Sequence, residues 1–549
     1  VVEGEVEPAA LRAAVGRVVR RQEILRTTFR LPAGAHSPVQ LIGEGRDAPP
    51  LAEYDLRSED ARGQERRLAE LFDAAAQDPF DLERGPLLRV TLVRLADTRH
   101  LLLLALPALC ADAAGLDNLV RELARAYAQT AEGADDAAEV MQYADIAEWW
   151  NEQLSAPDAR LGREYWWKRF GTALPPQTPL PFERRDDPAR AFAPRLFTRG
   201  LRPDTVAALR GLAGHDRGSL SAFLLACWQA LLWRYGGQPD VVVGAAFDGR
   251  PFADLQAAHG PLAQHLPVHG LLDGEMPFGE LLDRVTQDVR AAAKWQTGFS
   301  REQFAAHAQA SGPHLCFEYD ERPAPFDAAG LTFASHWQKV YADRFKLKLQ
   351  CVLRADRLDA EFHYDAELYD EAFIAHLAGG FDALLEEAVA RPETPLAHLP
   401  LLDEEGRRRI LFEWNDTRQD YPRGLCVHEL FERQAALTPE SVALVFGDEQ
   451  LSYAELNRRA NRLAHCLRAR GVGAESRVGV LLERSSEMLV ALLGVMKAGG
   501  AYVPLDPAFP TERIRFMLAD AGLKLLLTQQ SLHQLVPEQD CPVLLLDAV

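Results

Sequence analysis

Residues 107–113, Pro-Ala-Leu-Cys-Ala-Asp-Ala, place one thiol and one carboxylate where an apolar strand gives way to an amphipathic helix. A strand-to-helix loop is a common seat of chemistry, because rigid elements hold it from both sides. Cys110 is a nucleophile only as a thiolate, and between Leu109 and Ala111 it reads instead as a small buried hydrophobe. Asp112 has no histidine or second acid beside it and reads as an anchor of the loop. Pro107 and Ala108 carry no side chain able to give or take a proton. His100 opens the preceding apolar strand and reads as structural.

The elements that must hold this loop follow from hydrophobic periodicity. Residues 87–95 and 100–106 are apolar runs split by Ala96-Asp-Thr-Arg99, which predicts a hairpin. Leu116, Leu119, Val120, Leu123 and Tyr127 share one helical face. Upstream, residues 11–20 have helical spacing, and Ile24-Leu-Arg-Thr-Thr-Phe29 turns β-branched and alternating, which predicts a helix leading into a strand. The proline-rich, charged stretch 174–195 reads as a crossover to a second lobe, with a helix over 221–235, a buried strand over 240–244 and paired segments within 345–362. Charged residues 401–409 read as a linker. Beyond it, strand 443–446, helix 453–470 ended by Gly471, strand 478–482 and helix 486–498 ended by Gly499 predict an α/β unit with a parallel sheet. The sequence shows no solenoid repeat and no low-complexity tract.

A chain of 549 residues that is 48% hydrophobic is long enough for three or four lobes. A net charge of -20 argues against nucleic acid as a partner. Seven scattered cysteines without a Cys-x-x-Cys pair indicate neither a zinc site nor a disulfide framework and fit a reducing cytoplasm. No apolar run approaches membrane-spanning length, and no signal-peptide pattern opens the chain. Val1 and Val549 both read as cut ends of a longer polypeptide.

Three blocks carry a family resemblance. Arg21-Gln-Glu-Ile-Leu-Arg-Thr-Thr-Phe29, Tyr143-Ala-Asp-Ile-Ala-Glu-Trp149 and Gln238-Pro-Asp-Val-Val-Val-Gly244, in this order and spacing, resemble the condensation domains of nonribosomal peptide synthetases over roughly residues 1–400. From Trp414-Asn-Asp-Thr417 onward, Leu451-Ser-Tyr-Ala-Glu-Leu456 and Leu493-Gly-Val-Met-Lys-Ala-Gly-Gly-Ala-Tyr-Val-Pro-Leu-Asp-Pro507 resemble the start of an amino-acid adenylation domain. The implied fold is α/β: two chloramphenicol-acetyltransferase-like lobes, 1–173 and 174–397, a linker over 398–427, and a partial adenylation domain over 428–549.

The resemblance implies amide formation between acyl and amine substrates carried on the phosphopantetheine arms of upstream and downstream carrier proteins. Its reaction center is marked by His-His-x-x-x-Asp-Gly, and here Pro107 and Ala108 stand at the histidines, Asp112 at the aspartate and Ala113 at the glycine. A second family block corresponds to Gly260-Pro-Leu-Ala-Gln-His-Leu-Pro-Val-His269, where Gln264 replaces Asn, His265 replaces Thr and His269 replaces an arginine. If that arginine pairs with the loop aspartate, Asp112 has lost its partner; His265, on a tunnel-facing segment in the family, is the candidate substitute base and Gln264 and His269 are tunnel residues. Residues 428–549 contain no Gly/Ser/Thr-rich phosphate loop, so ATP and magnesium are expected only of a complete adenylation domain and no cofactor of this segment alone. Three readings follow: impaired or redirected condensation, a docking interface for a carrier or a tailoring enzyme, or another acyl transfer such as ester formation or offloading. None involves nucleic acid or membrane.

Overall fold

The computed structural model describes the chain apart from residues 33, 35–37, 46–48, 133–139, 156–158, 172–178, 185–191, 214–216, 300–313, 342–343, 356, 537–540 and 549. Much of the expected crossover over 174–195 therefore lies outside the described residues. The chain forms two compact units, Val1–Asn415 and Asp416–Val549, which divide within the stretch read as a linker. Among the described residues no helix is long and apolar enough to cross a membrane.

The first unit is built on two six-stranded sheets. In the first, the hairpin Arg89–Ala96 and Arg99–Ala105 turns on two residues and forms the center. Leu51–Asp55 joins one side in parallel and the short strand Val2–Glu3 joins the other. The outermost strands, Leu331–Phe333 and Phe326–Ala328, come from far along the chain. The helices Pro8–Arg21 and Ala113–Glu132 cover this sheet through Val15, Val18, Leu119 and Leu123, packed with Leu88 and Val90.

The strand expected over 24–29 is in part a turn. Glu23–Arg26 is a 3-10 helix, and only Thr27–Arg30 is strand. Ile24 and Leu25 are both buried, which a tight helical turn achieves without the two covered faces a strand would need. The Gln142 side chain fixes the turn: its Oε1 accepts from the Glu23 amide at 2.9 Å and its Nε2 donates to the Arg21 carbonyl at 3.0 Å.

The second sheet runs Pro194–Gly200, Arg357–Asp365, Leu347–Arg354, Leu315–Glu321, Asp240–Phe247, Gln264–Leu271. Its core is dominated by the helix Arg217–Gly236, which buries Phe223, Trp228 and Leu231 against Leu349 and Phe362. The second unit has a four-stranded parallel sheet, Ala501–Leu505, Arg477–Leu481, Leu525–Thr528 and Val543–Leu545. Its helices Tyr453–Ala469 and Ser486–Lys497 each end two residues before a glycine, Gly471 and Gly499, which have φ of 82° and 88°. That left-handed conformation is why glycine stops these helices.

Candidate active site at the seam of the two lobes

The loop after strand Arg99–Ala105 is fixed by its own backbone and by Asp112. The Cys110 amide donates to the Pro107 carbonyl at 2.9 Å, closing a turn. Asp112 then caps the helix Ala113–Glu132, its Oδ1 accepting from the Gly115 amide at 2.7 Å, as an N-cap residue does. The same carboxylate reaches across to the second lobe. Arg250 Nη1 donates to Oδ2 at 2.8 Å and Nη2 to Oδ1 at 2.9 Å, while the Leu262 and Ala263 amides donate to Oδ2 at 2.9 and 2.8 Å. Five donors on one carboxylate fill its acceptor capacity. With the Arg250 side chain 1% exposed and that of Asp112 5%, this is a buried bidentate pair, and Asp112 is a clamp with no lone pair left for chemistry.

Asp112 thus has an arginine partner, and the expectation that His269 marks its loss is corrected. Arg250 comes from Asp248-Gly-Arg250, just past the end of strand Asp240–Phe247. Its guanidinium also donates to the carbonyls of Asp248 at 2.8 Å and Ala258 at 3.2 Å, so the fork is held before Asp112 meets it. The signal missed in the sequence was an arginine directly after a buried strand; arginine is the residue whose planar fork matches a carboxylate.

Other contacts sew the same seam. Asn118 Nδ2 donates to the Gln256 carbonyl at 2.9 Å. His259 Nε2 lies 2.8 Å from Glu122 Oε2, which also accepts from Gln22 Nε2 at 2.8 Å. Gly260 has φ of 122°, and a Cβ there would stand 2.2 Å from the Tyr143 ring; the family-like Tyr143 block and the Gly260 block therefore require each other.

Pro107 and Ala108 form part of the wall of a cavity of about 410 Å³. Leu102, Leu104, Val120, Phe333, Trp337 and Tyr341 contribute other parts, so strand, helix and the segment following Leu331–Phe333 all meet here. Gln264, His265 and His269 are not in this wall. They lie on strand Gln264–Leu271. His269 Nε2 is 2.7 Å from Asp240 Oδ1 and its ring packs on Phe170. His265 sits near Glu318: burial pushes that carboxyl up, but the charges of Lys348, His265 and His363 outweigh it and hold the carboxyl below its ordinary range. The two altered motifs thus meet through the Leu262 and Ala263 amides on Asp112, while Gln264, His265 and His269 stand outside the cavity that Pro107 and Ala108 line. Cys110 is buried, and burial alone pushes its thiol up to about 12, which leaves too little thiolate for a nucleophile.

Comparison with known proteins settles the kinship. Residues 1–411 match the condensation-domain family and residues 431–548 the AMP-binding enzyme family. The chain belongs to the condensation-domain family. Its condensation unit is followed by the start of an adenylation unit, the order found in nonribosomal peptide synthetases. Chondramide synthase cmdD of Chondromyces crocatus is 34% identical over 576 residues, covering 100% of this chain and 14% of that protein. Gramicidin S synthase 2 of Aneurinibacillus migulanus is 32% identical over 542 residues, covering 97% and 12%. The chain thus spans about an eighth of the length of these relatives.

The chain is similar in fold to a four-domain nonribosomal peptide synthetase bound to AMP and glycine, with a TM-score of 0.78, 22% identity and coverage of 100% of this chain and 42% of that one. The condensation unit is also similar to the X-domain from teicoplanin biosynthesis, solved in complex with OxyB (TM-score 0.61, 26% identity, 73% of this chain and 90% of that one). Among the described residues, no group of three or more His, Cys, Asp or Glu side chains could hold a metal ion.

Proposed function

We propose that the condensation unit works within a nonribosomal peptide synthetase module, joining an acyl thioester to an amine, both delivered on the phosphopantetheine arms of carrier proteins. One observation carries this reading: the Asp112–Arg250 clamp across the lobes is complete, and the cavity beside it has Pro107 and Ala108 in its wall. The scaffold that holds two substrates is kept while the motif's proton-handling side chains are not. Holding reactants in place can contribute roughly 7–11 kcal/mol of barrier reduction, whereas general acid–base help contributes on the order of 10²–10⁴ in rate. Amide formation here is therefore slow and driven by positioning.

A second reading, a docking module that joins no bond, is favored by the likeness to the X-domain solved with OxyB. On that reading the partner is a tailoring enzyme or a carrier protein. The deciding experiment is a condensation assay on the complete module with both carriers loaded, comparing the intact protein, the Pro107→His/Ala108→His double variant and His265→Ala. The condensation reading expects slow product from the intact protein, a gain of roughly 10²–10⁴ on restoring the histidines, and little change in His265→Ala. No product from any of the three, with measurable binding of a tailoring enzyme, supports docking instead.

A further inference from the structure

The cavity beside Pro107 and Ala108 holds one anionic side chain that its surroundings leave unbonded. Among its charged wall residues, Asp78 is paired with Arg89 at 2.8 Å, and Lys339 is paired with Asp73 at 3.3 Å and lies over the Phe72 ring. His336 packs against Trp337 at a tilt, with ring centers 4.7 Å apart. Asp117 differs from all of these. It projects from the helix Ala113–Glu132 into the same wall, and no donor among the described residues hydrogen-bonds its carboxylate. The cations whose charge reaches it are Arg322, which also forms an ion pair with Asp320 at 2.8 Å, and Arg121, which lies over the Phe326 ring.

Burial pushes the Asp117 carboxyl up to about 6, with Asp320 adding to the rise and Arg322 and Arg121 opposing it. A half-buried carboxylate with empty acceptor sites and an apolar cavity in front of it favors a ligand that brings both positive charge and hydrogen-bond donors. A primary ammonium brings three donors; a hydroxyl brings one and no charge. Asp117 also lies five residues beyond Asp112, in the wall that contains Ala108, so a cation held there sits in the cavity of the altered motif.

We propose that Asp117 is an amine-binding subsite, its carboxylate receiving the primary ammonium of an acceptor that enters this cavity. That the ligand is an aminoacyl acceptor rests on the condensation reading; the chemical preference for a primary amine rests on the cavity itself. The carboxylate does for the amine's position what the histidine positions, occupied by proline and alanine, do not.

The test is calorimetric titration of the 549-residue chain with two probes. One is alanyl-pantetheine with an amide in place of the thioester; the other is its lactyl counterpart, with a hydroxyl in place of the amine. The intact chain should prefer the alanyl probe by roughly 10- to 100-fold, the range of a hydrogen bond to a charged group. Asp117→Asn should erase that preference and leave lactyl affinity unchanged, which a merely structural role of Asp117 does not produce. Absence of a preference in the intact chain, its survival in Asp117→Asn, equal weakening of both probes, or binding of neither overturns the proposal. The module assay above is read separately. An Asp117-dependent preference without product retains the subsite and removes condensation; product with a preference indifferent to Asp117 does the reverse.

Discussion

Replacing Asp112 with alanine tests whether the clamp is what holds the lobes together. The substitution strips partners from four groups at once: the Arg250 guanidinium and the amides of Gly115, Leu262 and Ala263. Breaking a buried ion pair by removing one side costs about 3–5 kcal/mol, because the other charge stays buried without compensation. Losing an aspartate N-cap adds about 1 kcal/mol. Since these terms share one site and are not independent, Asp112→Ala should destabilize the first unit by about 4 kcal/mol or more. Adding Arg250→Met removes the stranded charge and should return roughly 2 kcal/mol, while the three amides remain unpaired. The measurement is urea unfolding at neutral pH, followed by the fluorescence of the chain's nine tryptophans, on the intact chain, both single variants and the double variant. A loss under about 1 kcal/mol in Asp112→Ala, or further loss on adding Arg250→Met, refutes the clamp.

Two other expectations use the same unfolding measurement. Gly260→Ala places a Cβ 2.2 Å from the Tyr143 ring at φ 122° and should cost about 2 kcal/mol or more. In contrast, Gly211→Ala, on the helix Pro203–Ala213 with nothing within 4 Å, should gain up to about 1 kcal/mol. His363 is fully buried and burial pulls its pKa from 6.5 down to about 4, aided by the charge of Lys348 and opposed by Glu361. The unfolded chain therefore binds a proton there before the folded one does, so stability present above pH 6.5 is lost as pH falls towards 4. His363→Gln should flatten that limb of the stability–pH curve, and an unchanged slope would show that other groups carry it.

Periodicity was sufficient for the elements that bury one face. The hairpin around Asp97 and Thr98, the helix after Asp112 and the strand–helix alternation beyond residue 440 all stand where apolar spacing puts them. It was insufficient at Ile24 and Leu25, where a buried turn imitates β-branched alternation. The loop itself was legible because Pro107 and Ala108 interrupt a recognizable pattern, but its electrostatics were not. Arg250 lies 138 residues from Asp112, and nothing local to either residue reports a pairing that the packing of two lobes creates. Asp117 was hidden for a related reason: on the sequence it is one polar position in a helix, and only the cavity wall shows what it faces.

The two outer strands of the first sheet, Phe326–Ala328 and Leu331–Phe333, belong to chain that has already built most of the second lobe. The two-residue strand Val2–Glu3 is paired on both sides only because Leu331–Phe333 arrives. Without it, Val2–Glu3 would itself become the border of the sheet, an edge of only two residues. The two lobes therefore cannot be cut apart cleanly: a junction made between them would separate a sheet from its own border.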